Sequence, residues 1–395
     1  MEETRPQLWT KNFIIFFIST FSMNIAFQFL NPTLPLFATK ALGAAQSNIG
    51  YLLGGYSLAA LLIRPFSGYA YDFLGRKKVY AITMGLFAIV SFFYPLMSTF
   101  LLLVALRSFH GLIFGFTSTG MGAIVGDIVP SERRGEGIGY FGLAQTLSMA
   151  LGPSLALLVM GENNYLRLFL TVAALTVVAF LFSTMLSLPP QPLPNRTVNL
   201  KTLLEKRVFG ISCLHMMTGI VNGGIMSYII IYSQEIGIIN GGLYFLMNGI
   251  GVTLTRLFAG RLLDKYGPRY ILSFGFIGYS LGLVILSLSD GLVLFLAAAF
   301  WIGLGNGIIM PSLQTMSINI VEPESRGVAS TTFYAFTDIG IGGGSIFLGL
   351  LSGILSLNQV FLFSALYLII PLVIFNLFVM KDYSRKLEQI NNQDQ

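Results

Sequence analysis

Charge is scarce in this chain. Only 10% of its 395 residues are Asp, Glu, Lys or Arg, against about 25% in an ordinary soluble domain. A soluble protein of this length needs a polar shell, and there are too few charges to make one. Cysteine is scarcer still. Cys213 stands alone inside an apolar block, which excludes an intrachain disulfide and leaves it as a packing residue. The sequence offers no phosphate-binding loop with its lysine, no metal-ligand cluster and no buried carboxylate pair. An enzyme is therefore not expected, and neither a cofactor nor a metal. Patterns such as Gly303-Leu304-Gly305 fall inside apolar runs and carry no nucleotide meaning.

Apolar residues, by contrast, make up 54% of the chain and come in long blocks. About 20 consecutive apolar residues cross a hydrocarbon core. About twelve such blocks are present, near 12–37, 48–66, 79–97, 99–127, 136–160, 165–186, 208–232, 241–259, 270–288, 292–318, 327–355 and 358–380. In lipid the backbone must satisfy its own hydrogen bonds, so these are expected to be helices. A membrane barrel would alternate apolar and polar residues in segments of about ten, and these blocks do not. The first block is too long for a cleavable signal peptide, and Asn31-Pro32-Thr33-Leu34-Pro35 follows where a small-residue cleavage site would stand. The expected fold class is an all-α membrane protein of twelve transmembrane helices.

The net charge is +6, and its placement decides its meaning. If both termini are cytoplasmic, Lys11, Arg76, Lys77, Lys78, Arg133, Arg134, Arg196, Lys201, Lys206, Arg207, Arg261, Lys265, Arg269, Arg326, Lys381, Arg385 and Lys386 all fall inside. Only Lys40 and Arg167 fall outside. This is the positive-inside pattern of a multi-pass protein of the cytoplasmic membrane. The basic balance is a topology signal, and nucleic-acid binding is not expected.

Shifted by 192 residues, the chain matches itself. Arg64-Pro65-Phe66-Ser67-Gly68 meets Arg256-Leu257-Phe258-Ala259-Gly260, and Asp72 and Gly75 meet Asp264 and Gly267. Gly111 and Gly115 meet Gly303 and Gly307. Glu132-Arg133-Arg134-Gly135 meets Glu324-Ser325-Arg326-Gly327, and Gly152 meets Gly344. The stretch between the copies carries Pro189, Pro190, Pro192, Pro194 and Asn195, as a linker would. The organisation expected is a six-helix bundle over 1–187, a cytoplasmic linker over 188–206, and a second six-helix bundle with a short tail over 207–395. Two such repeats suit a transporter with its substrate site near the bilayer midplane.

These residues resemble the major facilitator superfamily over essentially the whole chain. Gly68-Tyr69-Ala70-Tyr71-Asp72-Phe73-Leu74-Gly75-Arg76-Lys77-Lys78 is similar to that family's signature between helices 2 and 3, with a second copy over 260–269. The loop also reads physically. Gly68 admits a close neighbour, Asp72 can accept amide protons at a helix N-terminus, Gly75 permits a tight turn, and Arg76 can pair with Asp127. The resemblance implies that Asp72, Arg76 and Asp127 form a cytoplasmic gate network. The second copy keeps Gly260, Asp264 and Gly267 but places Pro268 and Asn319 at the partner positions, so its network is degenerate. Leu103-x-x-x-Arg107-x-x-His110-Gly111 resembles the family's helix 4 motif, in which the arginine of proton-driven members handles protons. Ser148-Met149-Ala150-Leu151-Gly152-Pro153 resembles, in part, the helix 5 motif of drug–proton antiporters, where Gly152 and Pro153 serve helix packing. Ser148 and Ala156 stand where that motif often has glycine.

Candidate proton carriers are Asp338, Arg107, His110 and His215. Asp338 lies about 18 Å into its helix at 1.5 Å per residue, where a carboxylate is costly unless protonated or paired. Many relatives carry the acid on helix 1 instead, which here offers only Asn24, Gln28 and Asn31. The family's cavity helices supply Asn24, Phe27, Gln28, Asn31, Asn222, Tyr228, Asn306 and Gln314 as candidate substrate contacts, with Met310 and Met216 as adaptable apolar surface. Amides and aromatics with few fixed charges suit a neutral or weakly charged amphiphile. The resulting expectation is a monomeric secondary transporter in the lipid bilayer. It would export drug-like or sugar-like small molecules in exchange for protons by alternating access. Alternatives are an uptake permease, a flippase for a lipid-linked substrate, or a non-transporting sensor or scaffold of the same fold.

Overall fold

The computed structural model describes residues 7–130, 133–188, 204–322 and 326–393, and among them no strand occurs. The helices are α1 (Lys11–Lys40), α2 (Gly50–Leu74), α3 (Arg76–Ser91), α4 (Phe100–Ile128), α5 (Arg134–Met160), α6 (Tyr165–Thr184) and α7 (Phe209–Glu235). A continuous run Leu243–Ser287 is broken at Gly267, whose φ is 75° and ψ 165°. It therefore serves as two helices, α8 over 243–266 and α9 over 268–287. Then come α10 (Leu292–Asn319) and α11 (Arg326–Ser352). The last span joins α12 (Leu357–Tyr367) and α13 (Ile369–Ile374), passes through a π-helical turn at Phe375–Val379 and ends as α14 (Met380–Gln393).

Local chemistry sets several of these ends. Thr10 accepts the Phe13 amide, Thr99 the Leu102 amide and Asn164 the Arg167 amide, so three helices start on side-chain caps. Gly75, with φ 89°, turns the chain between α2 and α3 as Gly267 turns it between α8 and α9. Pro32 and Pro35 both lie inside α1.

Among the described residues, eleven helices are long and apolar enough to cross a membrane, and Leu243–Thr255 is a shorter apolar one. Large apolar side chains point outward, Leu101 at 77% exposure and Val293 at 81%. Such a surface is tolerated in hydrocarbon and not in water. The chain is a multi-pass membrane protein with the expected all-helical fold.

The chain divides into two compact units, residues 1–43 with 55–198 and residues 44–54 with 199–395. The segment 44–54 groups with the second unit because the Gly50 amide donates to the Tyr228 hydroxyl (2.7 Å) and Ser345 Oγ donates to the Gly50 carbonyl (2.9 Å). Most of the linker foreseen at 188–206 lies outside the described residues.

Inside each unit the same helix contacts recur 192 residues apart. Helices in lipid gain little from the hydrophobic effect and associate through close backbone approach. A Cβ on Gly111 would collide with the Tyr56 carbonyl, and one on Gly303 with the Asn248 carbonyl. Gly115 lies against Ala60 and Ile63, and Gly307 against Val252 and Thr255. Gly152 lies against Gln28, and Gly344 against Ile220. Each partner in the second unit is the first unit's partner moved by the same 192 positions.

Candidate functional site

In the first unit, α1, α2 and α4 bring together a buried polar cluster. Arg107, about two turns into α4, is only 2% exposed. An arginine at that depth is tolerated when its donors and charge find partners. Its Nη2 donates to Asn31 Oδ1 of α1 at 2.9 Å, and Asn31 Nδ2 donates in turn to Gln28 Oε1 at 2.8 Å. Its Nη1 reaches the Tyr94 hydroxyl at 3.5 Å. The guanidinium carbon lies 4.1 Å from the Tyr56 ring centroid and 5.3 Å from that of Phe27. In a desolvated site such cation–π contact is worth about 2 kcal/mol. The charge is thus stabilised by amides, a phenol and ring faces. No ion pair to Arg107 occurs among the described residues.

His110, one turn along α4, is fully buried. Its Nδ1 lies 2.8 Å from the Tyr94 hydroxyl, and Phe87 packs edge-on against its ring. Its Nε2 has no hydrogen-bond partner among the described residues. Tyr94 therefore links the arginine and the histidine. Neither Tyr94 nor Tyr56 was singled out in the sequence. Tyr94 comes from the short turn between α3 and α4, and no local pattern marks it. Phe27, Gln28 and Asn31, candidate substrate contacts in the sequence, join the cluster, whereas Asn24 donates to the Thr20 carbonyl of its own helix at 2.8 Å. Gly152 packs against Gln28, so α5 backs the same group, and Pro153 follows inside that helix.

In the second unit, α7, α9 and α10 form an amide and phenol network. Asn306 Nδ2 donates to Asn222 Oδ1 at 3.0 Å, and the Tyr279 hydroxyl donates to the same oxygen at 2.9 Å. Tyr279 was not foreseen. Gln314 Nε2 donates to the Tyr334 hydroxyl of α11 at 3.0 Å. Met310 and Met216 are half-buried. Tyr228 is buried, and its hydroxyl accepts the Gly50 amide.

Asp338 lies twelve residues into α11 and is half-buried. The helix around it fits α7 closely: Gly340 abuts the Met216 carbonyl, and Gly219 abuts the Thr337 carbonyl. His215 of α7 stacks flat on Phe333, with centroids 4.5 Å apart and the planes 3° from parallel. Its Nδ1 lies 3.2 Å from Thr218 Oγ1, and its Nε2 has no partner among the described residues.

At the α2–α3 turn, Arg76 forms the ion pair with Asp127 at the end of α4. The surroundings of Gly68 and Gly260 and the side chains of Asp72 and Asp264 lie outside what is described. In the second unit Arg269 Nε donates instead to Asn376 Oδ1 at 3.2 Å. A further cluster joins Arg207, read in the sequence only as a topology charge, to Glu205 at 3.0 Å and to Glu322 at 2.6 Å. Hydrogen bonding from Arg207 holds the Glu205 carboxyl below its usual value and brings Glu322 down to about 2.

The family model of the Major Facilitator Superfamily matches residues 16–238 and 208–394. An uncharacterized MFS-type transporter of Methanocaldococcus jannaschii is 25% identical over 372 residues, covering 91% of this chain and 96% of that one. The staphylopine export protein of Staphylococcus aureus is 23% identical, covering 91% and 94%. The quinolone resistance protein NorA of Staphylococcus aureus is 25% identical, covering 84% and 87%. Among solved structures, the nucleoside transporter NupG matches with a TM-score of 0.80 at 19% identity, covering 93% of this chain and all of that one. A POT family transporter in complex with 5-aminolevulinic acid matches at 0.80 and 13% identity, covering 94% and 96%. The structural matches speak for the fold, and the family model spans nearly the whole chain: this protein belongs to the Major Facilitator Superfamily of secondary transporters.

Proposed function

We propose that the protein is a proton-coupled exporter of small amphiphilic molecules, working by alternating access. The observation that carries this reading is the Arg107 cluster. A buried cation with no ion pair among the described residues is bonded directly to Asn31, a candidate substrate contact, and stacked on Phe27, another. Substrate that contacts Asn31 or Phe27 changes the environment of Arg107, and through Tyr94 that of His110. Such linkage between a charge and a substrate surface is what coupling requires.

Asp338 and His215 are the matching candidates in the second unit. A carboxylate midway along a membrane helix is costly unless it is protonated or paired, which makes Asp338 a candidate proton carrier. The amide network of Asn222, Asn306 and Gln314 suits hydrogen-bonding substrates without a large fixed charge. Export is favoured because two relatives are named for export and for quinolone resistance. The distribution of lysine and arginine supports an orientation with both termini cytoplasmic, in the inner membrane. The Arg76–Asp127 pair, with Asp72, serves as the cytoplasmic latch.

The test is substrate-driven proton movement in everted membrane vesicles energised to an acidic lumen. One compound from a panel of amphiphilic drugs and sugars should collapse the gradient in the native protein. The response should vanish in Arg107→Ala and Asp338→Asn. An undiminished response in both variants would overturn the coupling assignment.

A further inference from the structure

Among the described residues of the second unit, the cations lie at one end. Lys206, Arg207, Arg269, Lys381, Arg385 and Lys386 gather where α9 begins and α14 runs out, tied there by contacts such as Lys386 Nζ to the Arg207 carbonyl at 2.8 Å. The connections at 232–243 and 286–294 hold only Glu235 and Asp290 as charged residues. In the basic end lies an open cavity of about 630 Å³ between the start of α9, the π-helical turn and α14.

Three cations face this cavity, Arg269, Lys381 and Arg385, against one carboxylate, Glu388. Arg269 is aimed by its neighbours. Its Nε is held by Asn376, whose own Nδ2 is fixed on Ser273 Oγ and the Leu372 carbonyl, both at 3.0 Å. The outer guanidinium edge therefore remains for a ligand with paired acceptor oxygens. Lys381 has no hydrogen-bond or ion-pair partner among the described residues, and Arg385 gives one N–H to Asp382 at 2.8 Å. Ser384 adds a hydroxyl to the same wall. The π turn Phe375–Val379 places Asn376 and Leu377 on the cavity, and such turns recur at functional sites.

The cavity also has an apolar exit. Leu377 and Met380 line it. From Leu377 a stripe of outward-facing apolar side chains, Val373, Ile370 and Leu366, runs along the last span at helical spacing. A ligand with an anionic head in the cavity could lay a hydrocarbon tail along that stripe.

We infer that this cavity binds a phosphate group, supplied by the headgroup of an anionic phospholipid. Basic pockets between membrane helices hold such headgroups, and each nearby cation adds to the attraction. Arg269 and Lys381 grip the phosphate oxygens, Ser384 donates to them, and Leu377 carries the first acyl segment. The site is separate from the transport residues above and does not depend on the direction or coupling of transport.

The experiment uses the purified full-length protein, delipidated in neutral detergent and titrated with phosphatidylglycerol, phosphatidylcholine or inorganic phosphate. Bound species are counted by native mass spectrometry, and melting is followed in parallel. Phosphatidylglycerol should bind about tenfold tighter than phosphatidylcholine, and Arg269→Gln with Lys381→Gln should remove that preference. Both positions are at the rim, and an unchanged melting temperature without lipid will show that the variant is folded. Leu377→Ser should weaken the lipid and spare inorganic phosphate. Equal binding of the two lipids, or an undiminished preference in the folded double variant, would overturn the proposal. Capture of inorganic phosphate without any preference for phosphatidylglycerol would overturn the lipid as its source.

Discussion

Where α4 carries Arg107, the matching position of the second unit is Ala299. Where Tyr56 covers the arginine, Asn248 stands instead and donates to the Ala299 carbonyl at 3.2 Å. The histidine position is Ile302. Yet the glycines around these residues make the same contacts in both units, with the same register. The backbone frame is thus shared, and the buried arginine with its neighbouring histidine is confined to one copy of it. A position fixed by close helix approach tolerates almost nothing but glycine. A position facing the interior of a bundle tolerates any group whose charge and hydrogen bonds are met.

That comparison can be broken at several points. The largest effect is expected for Gly111→Val and Gly303→Val, each forcing a side chain into a backbone carbonyl and costing about 3 kcal/mol. Thermal melts in detergent should show the two losses to be alike. A large loss in one variant alone would mean that the frame is not equivalent.

Next comes Arg107→Gln, expected to lower proton-coupled efflux by about a hundredfold with folding retained, as for a group whose charge is used in the rate-limiting step. Its counterpart Ala299→Ser should change efflux by less than about twofold. Initial rates of dye efflux in the same vesicles measure both. Asp127→Asn follows. It removes one partner of Arg76, whose side chain is 23% exposed, and should cost about 1–2 kcal/mol after discounting for water. Asn319→Ala, at the degenerate position, should stay within about 0.5 kcal/mol, and chemical denaturation would compare the pair.

The smallest effect concerns acid. Arg207 holds the Glu322 carboxyl at about 2 in the folded protein against 4.5 for the free group. The folded state favours the charged form, so its contribution is complete above about pH 4.5 and fades as pH falls towards about 2. Melting temperature should fall less steeply across that window in Glu322→Gln than in the native protein.

The frame was legible in the sequence because its glycines are few in kind and strict in spacing. The 192-residue offset of Gly75 and Gly267 became two positive-φ turns, and the twelve apolar blocks became the helices. The last block was expected to end near 380, where hydropathy falls. The helix continues to Gln393 because Asp382 pairs with Arg385 and Lys386 along its polar face. Arg107 and Asn31 were visible as unusual residues in apolar runs. Their partnership was not, because it joins residues 76 positions apart. Tyr56, Tyr94 and Tyr279 stayed hidden for the same reason: a tyrosine in a membrane helix looks alike whether it caps an arginine or fills space.

The two prolines of α1 bear on the Arg107 cluster in another way. Pro32 and Pro35 carry no amide hydrogen, so they cannot close the helical bonds to the carbonyls of Gln28 and Asn31. These are the two residues whose side chains form the relay to the arginine. The main chain of α1 is therefore relieved of its usual internal bonding beside the cluster. Its carbonyl oxygens are left to be solvated by something other than their own helix, whether water or the donor groups of a passing molecule. A helix built this way can bend at its own polar centre, so the pivot of α1 coincides with its chemistry.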